Sequence, residues 1–166
     1  MQQTEKEKTS RHIEALIDKY GSQLFRISYC VLCNKADAED AVQEAFLKYL
    51  TKAPEFTDDE HEKAWLIKVV TNISKNMFKL RFRRTSVPLE DLCDMGITDK
   101  DSELFELVMN LPSKYNLVLI LYYAEGFKTK EIADILNISE ELARKRLQKA
   151  RELLKKEFER SENYND

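Results

Sequence analysis

The sequence predicts an all-α protein with two small helical domains, and three observations support this prediction. The 166 residues include only 3 glycines and 3 prolines, too few for the many tight turns of a β-sandwich or barrel. Apolar residues recur at helical spacing along most of the chain. The pattern lapses once, between Thr85 and Asp101, around Pro88 and Gly96. We therefore expect domains at residues 11–84 and 102–160, joined by a flexible linker at residues 85–101.

Three helices are expected in the first domain. The first covers residues 13–31, where apolar side chains recur at helical intervals. The second covers residues 38–49 and is ended by Pro54. The third is expected from about Glu62 to Arg84. The expected core positions are Ile13, Leu16, Ile17, Tyr20, Leu24, Ile27 and Val31 in the first helix, Ala38, Ala41, Val42, Ala45, Phe46 and Tyr49 in the second, and Leu66, Val70, Ile73, Met77 and Leu80 in the third.

The second domain contains the spacing of a helix-turn-helix, in the segment TKEIADILNISEELARKRLQKAR. Its first helix is expected over residues 129–136 and its second over residues 139–160, before a frayed tail, SENYND. Asn137 occupies the turn position that requires a positive φ, which asparagine adopts more readily than most residues. Ser139 stands where the second helix needs an N-cap. Two shorter helices precede the motif, at residues 103–110 and 115–125.

The second helix of this motif has the charge pattern of a DNA-recognition helix. From Arg144 to Arg151 it carries five basic residues and no acidic one. A recognition helix reads base edges with its N-terminal side chains, while its flanking cations neutralise phosphates. The alternative is a merely solvated helix face in a chain that is 34% charged. The candidate DNA-reading residues are Glu141, Arg144, Lys145, Gln148 and Lys149.

The third helix combines an aromatic residue with a basic stripe that the core does not need. Trp65 stands at the head of the stripe, and from Lys68 to Arg84 the helix has six basic residues and no acidic one. An aromatic face for an unpaired base beside cations for the backbone is typical of a nucleic-acid surface. The alternative places Trp65 in the core. The candidate residues of this α3 stripe are Trp65, Lys68, Asn72, Lys75 and Lys79.

The second helix has a polar side on which one leucine stands among acidic and amide groups. These residues lie at helical spacing, opposite the alanine-rich side. A leucine in such a setting indicates a surface for a protein partner. The alternative is a solvated face with one exposed leucine, which is common in proteins. The residues of this α2 face are Asp40, Gln43, Glu44 and Leu47.

Three segments carry a family resemblance: DAEDAVQEAFLKYL, AWLIKVVTNISKNMFKLRFRR and LPSKYNLVLILYYAEGFKTKEIADILNISEELARKRLQKARELL. In their order and spacing, from Ile13 to Phe158, they resemble a bacterial RNA polymerase sigma factor. The compact extracytoplasmic-function type of the sigma-70 family, which has only domains two and four, is the best match. The resemblance implies a protein that binds core RNA polymerase and directs promoter-specific initiation, without catalysis of its own.

The resemblance also implies a role for each surface. The α2 face would dock on the clamp helices of the largest polymerase subunit, and the second domain would meet the flap of the second subunit. The α3 stripe would recognise and open the −10 element, and the loop from Pro54 to Glu60 would capture a flipped base. The recognition helix would read the −35 element. An anti-sigma factor is implied as a further partner by resemblance alone.

Two acidic features depart from the family pattern. Glu141 and Leu142 replace the usual small and β-branched pair early in the recognition helix, and Glu140 stands before them. Acids there are unfavourable against phosphate, although a glutamate can accept a hydrogen bond from cytosine N4. The loop before the third helix contains Asp58, Asp59 and Glu60, for which the sequence offers no reason.

Other functional classes find little support in the sequence. No nucleophile, phosphate loop or metal-ligand set stands out, so we expect neither an enzyme nor a cofactor. No segment approaches the ~20 apolar residues of a membrane span, and three cysteines make no disulfide framework. A cytoplasmic protein without membrane insertion is therefore expected. Two alternatives remain: a stand-alone helix-turn-helix regulator with a helical sensor or partner domain, and a helical interaction module.

Overall fold

The structure, a computed structural model, describes residues 2–84 and 102–164, and within these ranges the side chains of residues 2–5, 8, 81–84 and 102–103 are not described. The predicted linker and the side chains of Arg81, Arg83 and Arg84 therefore lie outside the described residues. Within them the chain is helical, as predicted, and contains no strand. The helices are α1 (Gln2–Leu32), α2 (Lys35–Lys52), α3 (Asp59–Arg84), α4 (Ser102–Met109), α5 (Ser113–Leu119), α6 (Thr129–Leu136) and α7 (Glu140–Tyr164), with a π-helical segment at Ile120–Ala124.

The chain divides into two compact units, Met1–Leu92 and Cys93–Asp166. In the first, α1, α2 and α3 all pack against one another as a three-helix bundle. Most of the expected core positions are buried, and the alanines of α2 let the helices approach closely. A buried polar contact crosses the bundle: Ser74 Oγ donates to the Val70 carbonyl at 2.7 Å and lies 2.8 Å from Ser28 Oγ.

Two expected core residues of the bundle are instead exposed. Ile17 is 46% exposed and Leu80 is 61% exposed. Ile17 lies about 100° around α1 from the buried Leu16, which places it outside the core stripe. Leu80 lies six residues beyond Ser74, whereas α1 ends at Leu32, four residues after its contact at Ser28. The apolar pattern of α3 therefore continues past the helix that covers it.

The second unit is built around α7, against which α4, α5 and α6 pack. The helix-turn-helix is confirmed locally. Asn137 has φ 55° and ψ 49°, the left-handed conformation that the turn requires. Ser139 Oγ accepts from the Leu142 backbone N–H at 3.1 Å and caps α7. The buried positions of the motif are Ile132, Ala133, Ile135, Leu136, Ala143, Leu147 and Ala150.

The second unit departs from the sequence prediction in two places. The expected helix over residues 115–125 widens at Ile120–Ala124, where the Glu125 N–H donates to the Ile120 carbonyl at 3.0 Å, a π-type bond. The tail was expected to fray, but α7 continues to Tyr164. Ser161 Oγ donates to the Phe158 carbonyl at 2.7 Å within this extension, directly after the 3.1 Å pair between Arg160 and Glu157.

The cysteines of the first unit differ from each other. Cys30 is a free thiol, fully buried in the bundle. Cys33 follows the end of α1 with φ 51° and is half-buried. It is disulfide-bonded, which corrects the expectation that no cysteine of this chain forms a disulfide. Its place outside the core leaves its sulfur accessible for bonding, as that of Cys30 is not.

Because Cys30 is buried, we expect the stability of the bundle to decrease at alkaline pH. Desolvation raises the pKa of its thiol from about 9 to about 12. Because the folded state retains this proton to higher pH than the unfolded state, the contribution of Cys30 to stability is constant below pH 9 and falls between pH 9 and 12. Urea unfolding from pH 8 upward should show a shallower decline for Cys30→Ala than for the wild type. Equal slopes would contradict this prediction.

Candidate functional site

The α2 face is open to solvent over its whole length. Asp40, Gln43, Glu44 and Leu47 are all exposed, and Leu47 is 62% exposed. The opposite side of α2 buries its alanines against α1 and α3, so the bundle does not use this face. The Glu44 carboxylate lies 3.5 Å from Lys48 Nζ, an ordinary surface pair. The structure therefore brings the four residues together as one exposed face with an apolar centre.

The α3 stripe lies mainly on the outside of the bundle. Lys68, Asn72 and Lys79 are exposed, whereas Lys75 is half-buried. Among the described residues, Lys68 and Lys79 have no carboxylate within 4 Å. Cations without neighbouring acids keep their full attraction for phosphate. This part of the stripe is therefore available to an anionic ligand.

Trp65 lies at the edge of the core. The sequence left open whether it belongs to the core or to the exposed stripe, and its position is intermediate between the two. It is half-buried, and its ring meets Tyr49 and Phe56 edge-on, with centroids 6.1 and 5.8 Å away. Phe56 also stacks on Tyr49 at 5.9 Å and meets His61 edge-on at 5.3 Å. These rings tie the α2–α3 loop to both helices. Trp65 thus has a fixed orientation while part of its surface remains exposed.

A hydrogen bond holds this aromatic cluster to α3. Tyr49 Oη donates to Glu62 Oε1 at 3.0 Å. Partial burial, followed by that bond to the carboxylate, raises the pKa of Tyr49 to about 12. The phenol therefore stays a neutral donor to higher pH than an ordinary tyrosine would. Sequence analysis treated Tyr49 as a core residue and missed its role at the loop.

The structure explains two of the three acids in the α2–α3 loop. Asp58 Oδ1 accepts from the His61 backbone N–H at 2.7 Å and caps α3. Asp59 forms a 3.0 Å ion pair with Lys19 of α1, and its carbonyl accepts from Tyr20 Oη at 3.4 Å. The hydrogen bond to Asp59 raises the pKa of Lys19. These acids therefore hold the start of α3 in place, whereas Glu60 is simply exposed.

The recognition helix α7 presents its candidate residues to solvent, but each of its three candidate cations lies within 4 Å of an acid. Arg144 Nη2 donates to Glu140 Oε1 at 2.7 Å, and Lys145 Nζ lies 2.9 Å from Glu141 Oε1. The hydrogen bond from Arg144 lowers the pKa of Glu140. Gln148 is exposed, and Lys149 lies 3.7 Å from Glu152. The candidate groups thus share one exposed face. Near the start of this face, Arg144 and Lys145 are each paired with a glutamate one turn earlier.

Sequence analysis missed a cluster that anchors α7 to the π-helical segment. Arg151 Nε donates to Tyr123 Oη at 2.7 Å, and its guanidinium lies 5.3 Å from the Tyr122 ring centroid and 5.5 Å from that of Tyr123. Arg151 belongs to the basic run of the recognition helix, and this exposed contact links it to the π-helical segment. The separation of 28 residues hides the pairing from any local pattern.

Neither a metal centre nor a membrane span is found in the described part of the chain. Over residues 2–84 and 102–164, no three histidine, cysteine or acidic side chains are grouped so as to hold a metal ion. Within the same ranges, no helix has both the length and the hydropathy needed to cross a bilayer.

Comparison with known proteins identifies the two units. The Sigma-70 region 2 family matches residues 16–86, and the Sigma-70, region 4 family matches residues 102–154. The ECF RNA polymerase sigma factor SigW of Bacillus subtilis is 24% identical over 162 residues, covering 86% of this chain and 87% of SigW. The sigma factor SigV of the same organism is 25% identical, covering 90% of this chain and 93% of SigV.

The fold also resembles a solved structure. The sigma factor RpoE, in its co-crystal structure with the anti-sigma factor NepR from Bartonella quintana, superimposes with a TM-score of 0.71 at 19% identity. The match covers 90% of this chain and 98% of RpoE. The two matched regions lie in the family order and together span most of the sequence. The chain therefore belongs to the sigma-70 family of bacterial RNA polymerase sigma factors, in its extracytoplasmic-function group.

Proposed function

We propose that this protein binds core RNA polymerase and directs it to promoters through three separate surfaces, without catalysis of its own. The single observation that carries the proposal is the match of both sigma regions, in order, to units whose exposed faces are not needed for folding. A sigma factor works with the polymerase in the cytoplasm, and we place this protein there. Its expected partners are the core enzyme, promoter DNA and an anti-sigma factor.

The α2 face is the proposed docking surface for the clamp helices of the largest subunit. An exposed leucine surrounded by Asp40, Gln43 and Glu44 offers an apolar anchor with a polar rim. Anchors of this kind contribute most of the binding energy in protein interfaces. The polar rim gives orientation and discriminates between partners.

The α3 stripe is the proposed surface for opening the −10 element. Lys68, Asn72, Lys75 and Lys79 would contact the backbone, and Trp65 would offer an aromatic surface to an unstacked base. Removing a base from the stack costs a few kcal/mol, and base–aromatic stacking returns about 1–3 kcal/mol. The remainder would come from polymerase and duplex contacts, so no chemistry on this protein is needed.

The recognition helix is the proposed reader of the −35 element. Its exposed candidates Glu141, Arg144, Lys145 and Gln148 lie toward the N-terminal half of α7, where a helix in the major groove meets base edges. Lys149, farther along, would contact phosphate. The flap of the second polymerase subunit is the proposed protein partner of this unit.

Reconstituted transcription tests the proposal. Core RNA polymerase is incubated with fragmented genomic DNA of the source bacterium, with and without the full chain, and the RNA 5′ ends are mapped. We expect discrete start sites, preceded by a shared pair of sequence elements, only when the chain is present. Equal output at the same positions without it would contradict the proposed function.

A further inference from the structure

The start of α7 carries two acidic residues that pair with the cations expected to face DNA. Glu140 accepts from Arg144 at 2.7 Å, and Glu141 lies 2.9 Å from Lys145. Glu140 Oε1 also accepts from Thr129 Oγ1 at 3.4 Å, which links the start of α7 to the start of α6. Arg144 and Lys145 are therefore each balanced by an acid one turn earlier, whereas Arg146 adds a third cation, and the Arg144 guanidinium is directed back along the helix.

Balanced charge at this point affects non-specific binding most. Affinity for any DNA sequence comes mainly from cations that neutralise phosphates, whereas discrimination comes from hydrogen bonds to base edges. An exposed ion pair one helical turn apart changes an equilibrium constant by only about twofold. A bidentate base contact discriminates by about 10- to 100-fold. Such a contact can displace the pair, but a single phosphate contact gains little by doing so.

We propose that Glu140 and Glu141 are specificity-determining residues of the recognition helix. They hold Arg144 and Lys145 in ion pairs and repel phosphate, so DNA without the correct base edges binds weakly. At the correct element, base contacts take over the two cations, and a released glutamate accepts a hydrogen bond from a base donor such as cytosine N4, which offsets the cost of breaking the pairs. The proposal rests on the function proposed above and deepens it, since it assigns a role to the acids that depart from the family pattern.

The test compares wild-type protein with Glu140→Gln, Glu141→Gln and the double variant, each as full chain assembled with core RNA polymerase. Promoter duplexes randomised across the upstream element are selected by each holoenzyme and sequenced. Affinities for the enriched duplex and for a scrambled one are then measured over a series of salt concentrations. Both substitutions keep side-chain shape, and the hydrogen bond to α6 is made by Glu140, whereas Glu141 pairs with Lys145 and is largely exposed.

For the double variant we expect affinity for the scrambled duplex to rise about 5- to 10-fold, with an increase of less than about 2-fold for the enriched duplex. For the scrambled duplex, the plot of log affinity against log salt concentration should become steeper, by an amount that corresponds to about one to two additional released counterions. Glu157→Gln is the matched control: it removes the 3.1 Å pair with Arg160 near the other end of α7 and should leave both affinities unchanged.

Two results would overturn the inference. An unchanged ratio between the affinities for scrambled and enriched duplex would show that the acids do not affect specificity. A fall in both affinities together would assign them to helix structure alone. Failure of the wild-type holoenzyme to enrich any upstream sequence would instead contradict the proposed function, and this inference with it.

Discussion

Leu47→Asp is expected to reduce the affinity of the protein for core RNA polymerase by about 100-fold or more. Burying a leucine at an interface contributes about 1.5–3 kcal/mol, and leaving an aspartate unpaired in its place adds a desolvation cost. Since each 1.4 kcal/mol is a factor of ten, the two effects together exceed two orders of magnitude. Core binding is measured by titrating labelled protein with polymerase.

Folding should survive this change, because Leu47 is 62% exposed and contributes little to the bundle. Ile17→Asp is the matched control: it makes the same chemical change at a residue that is 46% exposed on α1, away from the α2 face. Both variants should unfold near the wild-type temperature. Wild-type polymerase affinity for Leu47→Asp, or an equal loss for Ile17→Asp, would refute the docking assignment.

The double variant Lys68→Glu/Lys79→Glu is expected to lower promoter opening about 10- to 100-fold. It replaces two exposed cations of the α3 stripe with acids that repel the phosphate backbone, and this repulsion is strongest at low salt. Polymerase affinity should not change, because α3 does not contribute to the α2 face. Opening is measured as permanganate reactivity of unstacked thymines around the start site.

Two comparisons make this prediction specific. Lys6→Glu/Lys35→Glu reverses the same number of charges at exposed positions of α1 and α2 and should leave opening intact. On a template whose −10 element is already unpaired, the stripe variant should recover part of its activity, because the cost of unstacking has been removed. Wild-type opening by the stripe variant on duplex templates would show that the stripe does not contact DNA.

Local patterns were sufficient wherever the deciding interaction lies within one or two helical turns. The positive φ of Asn137 and the Ser139 cap of α7 depend on neighbouring backbone groups, so the sequence predicted both. The pairs from Glu140 to Arg144 and from Glu141 to Lys145 have the four-residue spacing of helical ion pairs. This spacing is visible in the sequence, but the five basic residues from Arg144 to Arg151 favoured an interpretation as a DNA-binding surface that did not include the ion pairs.

Contacts between distant residues decided the rest. Periodicity assigned Leu80 to the core because its spacing from Leu66 fits, yet no residue of α1 extends far enough to cover it. Helical spacing did not decide whether Trp65 is buried or exposed. Its contacts with the rings of Tyr49 and Phe56 hold it half-buried. Asp59 gained a structural reason only from Lys19, 40 residues earlier. Each of these outcomes depends on which helices pack together and on which of their residues lie at the same level along the helix axes.

By itself, the sequence determined where most of the helices lie, the turn at Asn137 and the Ser139 cap of α7, because these depend on groups within one or two helical turns. Tertiary structure alone decided which apolar residues are covered, how Trp65 is held at the edge of the bundle, and that Arg151 is bound to Tyr123. Burial and long-range pairing arise only when separate helices pack together. The spacing of residues within one helix shows which side chains share a face, but it does not show which other helix covers that face.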